Sequence, residues 1–332
     1  MIKSLSSLRF VFAIMVFLVH IHKINLAIGH AFFIVLSGFI LTMVYEKKIK
    51  EKTFSFGSFF LKRILRTYPL HILTLLIAIP LSLKGIRSET LLWISKFFLN
   101  LFSLQVFVPD RHFYFSFNGA AWNLADLMIF YACFPFVILL LARLSFRKFT
   151  FLMIGIVLLI CLSMNLVVEE LHHYLFYISP FFRIFAFILG IYLFYLAKNI
   201  GFNPDYKMAS YIEVFSIALC VAMYIYADSN YSDTLPYSYS VLLWLPLSLI
   251  LLSFYFDKGI ISKYILGTPF MLALGKLSFS FYMIHQLVIR YFTSFNTTWQ
   301  IQENSLYIFC FLVSLTLAYL SNTYFERLFY KK

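Results

Sequence analysis

The feature that most constrains this chain is a series of apolar runs, each close to 20 residues long. A helix of that length rises about 30 Å, the thickness of a bilayer's hydrocarbon core. A membrane-crossing β-strand would alternate apolar and polar residues instead, and these runs are continuous. Ten of them predict spans at 8–28, 31–46, 68–83, 120–142, 150–168, 180–197, 209–227, 238–256, 271–292 and 305–325. The stretch 91–108 is also apolar but carries Lys96 and Asn100, and is expected to form an interfacial or re-entrant helix. The chain is 62% hydrophobic and only 12% charged, with a mean hydropathy of +0.87. Typical soluble domains are about 25% charged, so water-soluble packing is excluded. The fold class expected is an all-α polytopic membrane protein with about ten transmembrane helices. Residues 1–332 are expected to be a single integral-membrane domain without a separate soluble domain, since no segment between runs is long enough to bury its own core.

The net charge of +13 would suggest nucleic acid in a soluble protein. Here the cations flank the runs. With the N-terminus inside, nineteen of the 27 Lys and Arg residues fall in inside segments, a bias that sets an N-in, C-in orientation. The cations then meet lipid headgroups, and no nucleic-acid partner is expected. The four cysteines (Cys133, Cys161, Cys220 and Cys310) all lie in apolar runs without C-x-x-C spacing, so they read as packing residues with neither disulfide nor metal.

Ionisable groups inside a span are costly unless they face a polar cavity, so they are functional candidates. Arg9 and His20 are eleven residues apart in the first run. Eleven helical steps bring the two side chains to within about 20° of one stripe and about 16 Å apart along the axis. They cannot touch. Arg9 is placed at the inner mouth and His20 near mid-depth.

Further candidates follow along the chain. Arg63 and Arg66 stand at i, i+3 beside Lys62, in what reads as the cytoplasmic loop feeding the third span. Such a cluster suits a phosphate-rich ligand, and equally an anchor on lipid headgroups. Ser37-Gly38 in the second run permits close helix packing. Trp122, Asn123 and Asp126 open the fourth span; Trp122 also suits an interfacial belt, and Asp126 a structural partner for Arg183 or Lys276. Arg183 enters the sixth span and has the alternative of snorkelling outward. In the ninth, Ser278, Tyr282 and His285 share one face by i, i+4, i+7 spacing. His285 falls at a depth close to that of His20.

Taken in order, these segments resemble the bacterial membrane-bound acyltransferase 3 family, which O-acylates sugars and other hydroxyl acceptors. The resemblance covers essentially the whole chain. It rests on Arg9-x10-His20, Phe32-Phe33-x-x-Leu36-Ser37-Gly38-Phe39, Arg63-x-x-Arg66-x-Tyr68-Pro69, Trp122-x-Leu124 with Phe130-Tyr131 and Pro135, Arg183 with Phe187-x-x-Gly190, and Leu274-Gly275-x-x-Ser278 with Tyr282 and His285. It implies a multi-pass protein of the bacterial inner membrane. The donor implied is acetyl-CoA or another acyl-CoA, and the acceptor a hydroxyl of a cell-surface or lipid-linked glycan. Arg63, Arg66 and Lys62 would hold the donor. His20 would be the base, with Arg9 at the donor mouth, and Trp122, Asn123, Asp126, Arg183, Tyr282 and His285 would bind the acceptor. The chain departs from the family pattern where Asn123 replaces a Ser, Leu127 and Ala186 replace two Glu residues, and Asp126 stands one residue early. The alternative function expected from the polar groups alone is a transporter or flippase of a lipid-linked glycan.

Overall fold

The computed structural model describes residues 2–24, 28–83, 89–230, 237, 239 and 241–329. Expectations that fall on Lys84, Arg87, Asp233, Lys331 and Lys332 lie outside these residues. Nine helices among the described residues are long and apolar enough to cross a membrane. They are α1 (Lys3–His20), α2 (Ile28–Lys50), α3 (Phe56–Ala78), α5 (Ala121–Leu141), α6 (Phe146–Leu166), α7 (Pro180–Ile200), α8 (Tyr206–Ser229), α10 (Pro269–Trp299) and α11 (Glu303–Leu320). Two apolar helices are shorter: α4 (Thr90–Leu101) and α9 (Trp244–Tyr255). The protein is an all-α polytopic membrane protein. Among the described residues there is no strand.

α4 has only 12 residues and cannot cross a membrane, as Lys96 and Asn100 suggested. α9, preceded by a short 3-10 turn, occupies the place of the eighth expected span and packs against α1, α2, α7 and α8. Residues 238 and 240 of that span lie outside the described residues.

Two expected boundaries are corrected. The first span does not run from 8 to 28: α1 starts at Lys3 and stops at His20. Its end is a Schellman turn. His22 adopts a left-handed φ of 55°, its N–H bonds Val19 O at 3.1 Å, and Lys23 N–H bonds Leu18 O at 3.0 Å. The apolar residues beyond it had masked this local stop. The third helix does not begin at 68 but at Phe56, capped by Ser55, whose hydroxyl accepts from Ser58 N. Lys62, Arg63 and Arg66 are therefore part of the helix and not of a loop, because Lys and Arg are good helix formers.

The core is set by the crossing of α2 and α7. A Cβ on Gly38 would collide with Phe187 O, and one on Gly190 would collide with Val35 O and come within 2.8 Å of Phe39 N. Two glycines facing each other thus let the backbones touch, as small residues do between membrane helices. Around this crossing Phe12 stacks on Phe32, and Phe130 and Phe134 pack on Phe187. On the far side, buried Glu213 of α8 accepts from the amides of Gly259, Ile261 and Ser262 and from Ser262 Oγ, holding the turn that leads into α10. Outward faces carry exposed Phe136, Leu140, Phe151 and Leu158, as a lipid-facing surface requires.

Candidate active site

α1, α2, α3, α5 and α10 enclose a cavity of about 150 Å³. Its charged lining is Arg9 from α1 with Arg63 and Arg66 from α3, and further in it is walled by Ser37, Asn123, Leu127, Tyr131, Ser278 and Tyr282. Three arginines from two helices thus line this cavity. Arg63 is half-buried. Its guanidinium lies 5.6–5.8 Å from the ring centroids of Phe59, Tyr45 and Tyr131, and Nη2 donates to Tyr45 Oη at 3.4 Å. Arg66 is exposed at the rim. Lys62 is exposed as well and is not brought to the cavity wall, since one helical step turns it about 100° from Arg63.

The two histidines expected at one depth are in direct contact. His20 Nδ1 lies 2.9 Å from His285 Nε2, and His285 Nδ1 lies 3.1 Å from Phe281 O. A carbonyl can only accept, so His285 Nδ1 carries hydrogen and Nε2 is left as an acceptor. His20 Nδ1 must then donate. The chain of bonds runs from His20 through His285 to Phe281 O, and it leaves Nε2 of His20 with its lone pair available.

Next to this pair stands a third imidazole that sequence reasoning missed. His30, the third residue of α2, is 2% exposed. Its ring centroid is 6.3 Å from that of His20, 5.1 Å from Trp122 and 5.8 Å from Tyr282. Nδ1 bonds the Tyr177 hydroxyl at 3.1 Å. The signal was present: a lone imidazole at the start of an apolar run meets the same cost argument as Arg9 and His20.

Trp122, Asn123, Asp126 and Arg183 gather on the other flank, all buried. The Arg183 guanidinium lies over the rings of Trp122 and Tyr177 at 5.8 and 5.7 Å, and Nη1 donates to Tyr239 O at 3.2 Å. Arg183 is thus turned inward and does not snorkel. Asp126 has no cation within 4.0 Å among the described residues, so the salt bridge to Arg183 or Lys276 is not formed. Asp126 is also absent from the cavity wall, where Leu127 stands instead. The one-residue offset from the family pattern turns the carboxylate away and leaves that wall apolar.

A loop ties these groups to α10. Tyr282 donates to Ala120 O at 2.7 Å, Asn118 Nδ2 donates to Met283 O at 2.9 Å, and Arg290 donates to Phe117 O. Tyr282, the middle of the expected polar face, therefore anchors the turn that presents Trp122 while its ring lines the cavity. Among the described residues no group of three or more His, Cys, Asp or Glu is arranged to hold a metal ion.

The model of the acyltransferase 3 family, described as an acyltransferase domain, matches residues 2–323. The chain belongs to the acyltransferase 3 family. No curated protein and no solved structure matches it. Membership makes the protein an acyltransferase and sets aside the transporter reading that the polar groups alone left open. An acyltransferase implies an acyl donor and a hydroxyl acceptor.

Proposed function

We propose that this acyltransferase moves an acyl group, acetyl by preference, from cytoplasmic acyl-CoA to a hydroxyl of a cell-surface or lipid-linked glycan in the bacterial inner membrane, with His20 as general base. The observation that carries this reading is the His20–His285 pair, which leaves one nitrogen of His20 free to accept a proton; the arginine-lined cavity does not include His20 in its wall and reaches Tyr282, about one helical turn before His285. The phosphates would stay at Arg63 and Arg66, with Arg9 along the path, while the thioester reaches inward.

In the reaction, His20 Nε2 takes the proton of the acceptor hydroxyl as that oxygen attacks the thioester carbonyl carbon. The C–S bond breaks, the ester forms, and the CoA thiolate recovers the proton from His20, so no external acid or base is consumed. His285 acts through His20 by fixing its tautomer and orientation, and is a positioning residue. Trp122, Asn123, Asp126, Arg183 and Tyr282 stand on the acceptor side.

The test replaces His20 by Ala and confirms membrane insertion. Acyl transfer from labelled acetyl-CoA is then measured in proteoliposomes, together with acetyl content of envelope glycan. Transfer should fall by about 10²- to 10⁴-fold. Undiminished transfer would remove His20 as the base.

A further inference from the structure

The arginine-lined cavity ends one helical turn short of the imidazoles. On α2 its wall runs through Ile40, Ser37 and Leu36 to Phe33, and on α10 through Ser278 to Tyr282. His20, His30 and His285 are not in the wall. Phe33 follows His30 by three residues and Tyr282 precedes His285 by three, so each ring stands about one turn on the cavity side of an imidazole. The two rings meet edge to face, with centroids 5.7 Å apart and planes at 64°. Rings at that separation are in van der Waals contact, and no acyl group passes between them.

The two sides of this closure are held differently. Tyr282 is tethered: its hydroxyl donates to Ala120 O at 2.7 Å, and its ring lies 5.8 Å from His30 and 6.0 Å from His285. Moving it breaks a buried hydrogen bond. Phe33 is half-buried, has no polar side-chain atom, and touches the neighbouring Phe32 ring edge-on at 6.1 Å. It can turn aside by a change of rotamer alone. The room it can clear is small, because Leu36, one turn away on the same face, and Leu124 line the same cavity and are themselves only 5% and 2% exposed.

A donor held by its phosphates at Arg63 and Arg66 presents its acyl group first. That group has to pass Phe33 before the thioester carbonyl reaches His20. We propose that Phe33 is the specificity-determining residue for the length of the acyl chain: its ring closes on Tyr282 and clears enough space for acetyl, while each further methylene meets the ring. This deepens the acyltransferase reading, with His20 as base, and rests on it. It gives the proposed acetyl preference a physical cause, which the arginines at the other end of the donor do not supply.

The experiment uses inverted membrane vesicles from bacterial cells that express the full chain. Labelled acetyl-, propionyl- and butyryl-CoA then reach the cytoplasmic face, and the envelope glycan of the same cells serves as acceptor. Transfer is read as label in the glycan above that of His20→Ala vesicles. The quantity compared is kcat/KM for a longer donor divided by that for acetyl-CoA, which a loss of folded protein leaves unchanged. The wild-type butyryl ratio should lie well below one. Phe33→Ala should raise it by about 10- to 100-fold, since a single methylene in an apolar site is discriminated by about that much, and Phe33→Leu should raise it less. An unchanged ratio in Phe33→Ala overturns the proposal. So does wild-type protein that uses butyryl-CoA as readily as acetyl-CoA. If Phe33→Ala loses all transfer, Phe33→Leu decides: a raised ratio supports the proposal and the wild-type ratio overturns it. Failure of the underlying reading looks different, as wild-type vesicles that transfer no label above the His20→Ala background, and the proposal falls with it.

Discussion

Replacing His285 by Phe isolates the pairing of the two imidazoles. Phe keeps the ring that stacks on Phe281 at 5.7 Å and packs near Phe17 at 6.1 Å, so the cluster around it is retained. What is lost is the 2.9 Å acceptor for His20 Nδ1. The carbonyl of Phe281 keeps its helical partner, the amide of residue 285, so the damage is confined to His20. Leaving a buried donor without its partner costs about 1–3 kcal/mol. If that energy had held His20 in its productive tautomer and orientation, it appears in the barrier, where each ~1.4 kcal/mol is about tenfold in rate. The expected effect is a fall of about 10- to 100-fold in kcat for labelled acetyl transfer in proteoliposomes, normalised to inserted protein. The KM for acetyl-CoA should hold, since Arg9, Arg63 and Arg66 line a separate part of the site. In the double variant with His20→Ala the losses should not add, because a positioning residue has nothing left to position. Multiplicative losses, or a wild-type rate in His285→Phe, would refute the positioning role.

Arg63→Ala with Arg66→Ala should abolish most CoA binding by calorimetry, and wild-type binding should weaken as salt is raised; Lys62→Ala, exposed and off the cavity wall, should change it little. Gly38→Ala and Gly190→Ala should each destabilise the detergent-solubilised protein by at least about 1–3 kcal/mol in thermal unfolding, because the added methyl meets backbone rather than a movable side chain. Glu213→Ala should be worse, about 3 kcal/mol or more, since it strips an acceptor from three buried or half-buried amides and a hydroxyl at once.

The spans were legible because hydropathy over 20 residues is a bulk property, and sequence and structure agree on most of them to within a few residues. Their ends were less so. α1 stops at a left-handed His22, where glycine would have been the usual mark, and apolar residues follow it. α3 begins twelve residues early because Lys62, Arg63 and Arg66 read as loop while favouring helix. For the site, helical periodicity placed Tyr282 and His285 on one face and put His20 at a similar level. It could not supply the distance between α1 and α10, which tertiary packing sets, and so the direct bond between the imidazoles was not readable. Asp126 shows the opposite case. Its charge marked it correctly as a costly buried group, but a single residue of offset, about 100° on the helix, decides that it stands behind the cavity wall and not in it.

α1 ends at His20, whereas α10 continues far past the point of contact. His285 is the seventeenth of its 31 residues, and at about 1.5 Å per residue α10 is near 46 Å long. A helix that stops beside the middle of its neighbour leaves irregular backbone, here residues 21–24, next to the imidazole pair. That backbone has to meet either protein or water. Water admitted so close to the base would compete with any alcohol for the bound thioester, and each hydrolysed donor would be a futile turnover. The packing of the Trp122 and Tyr282 rings on His30, next to His20, therefore covers one side of His20 against that solvent.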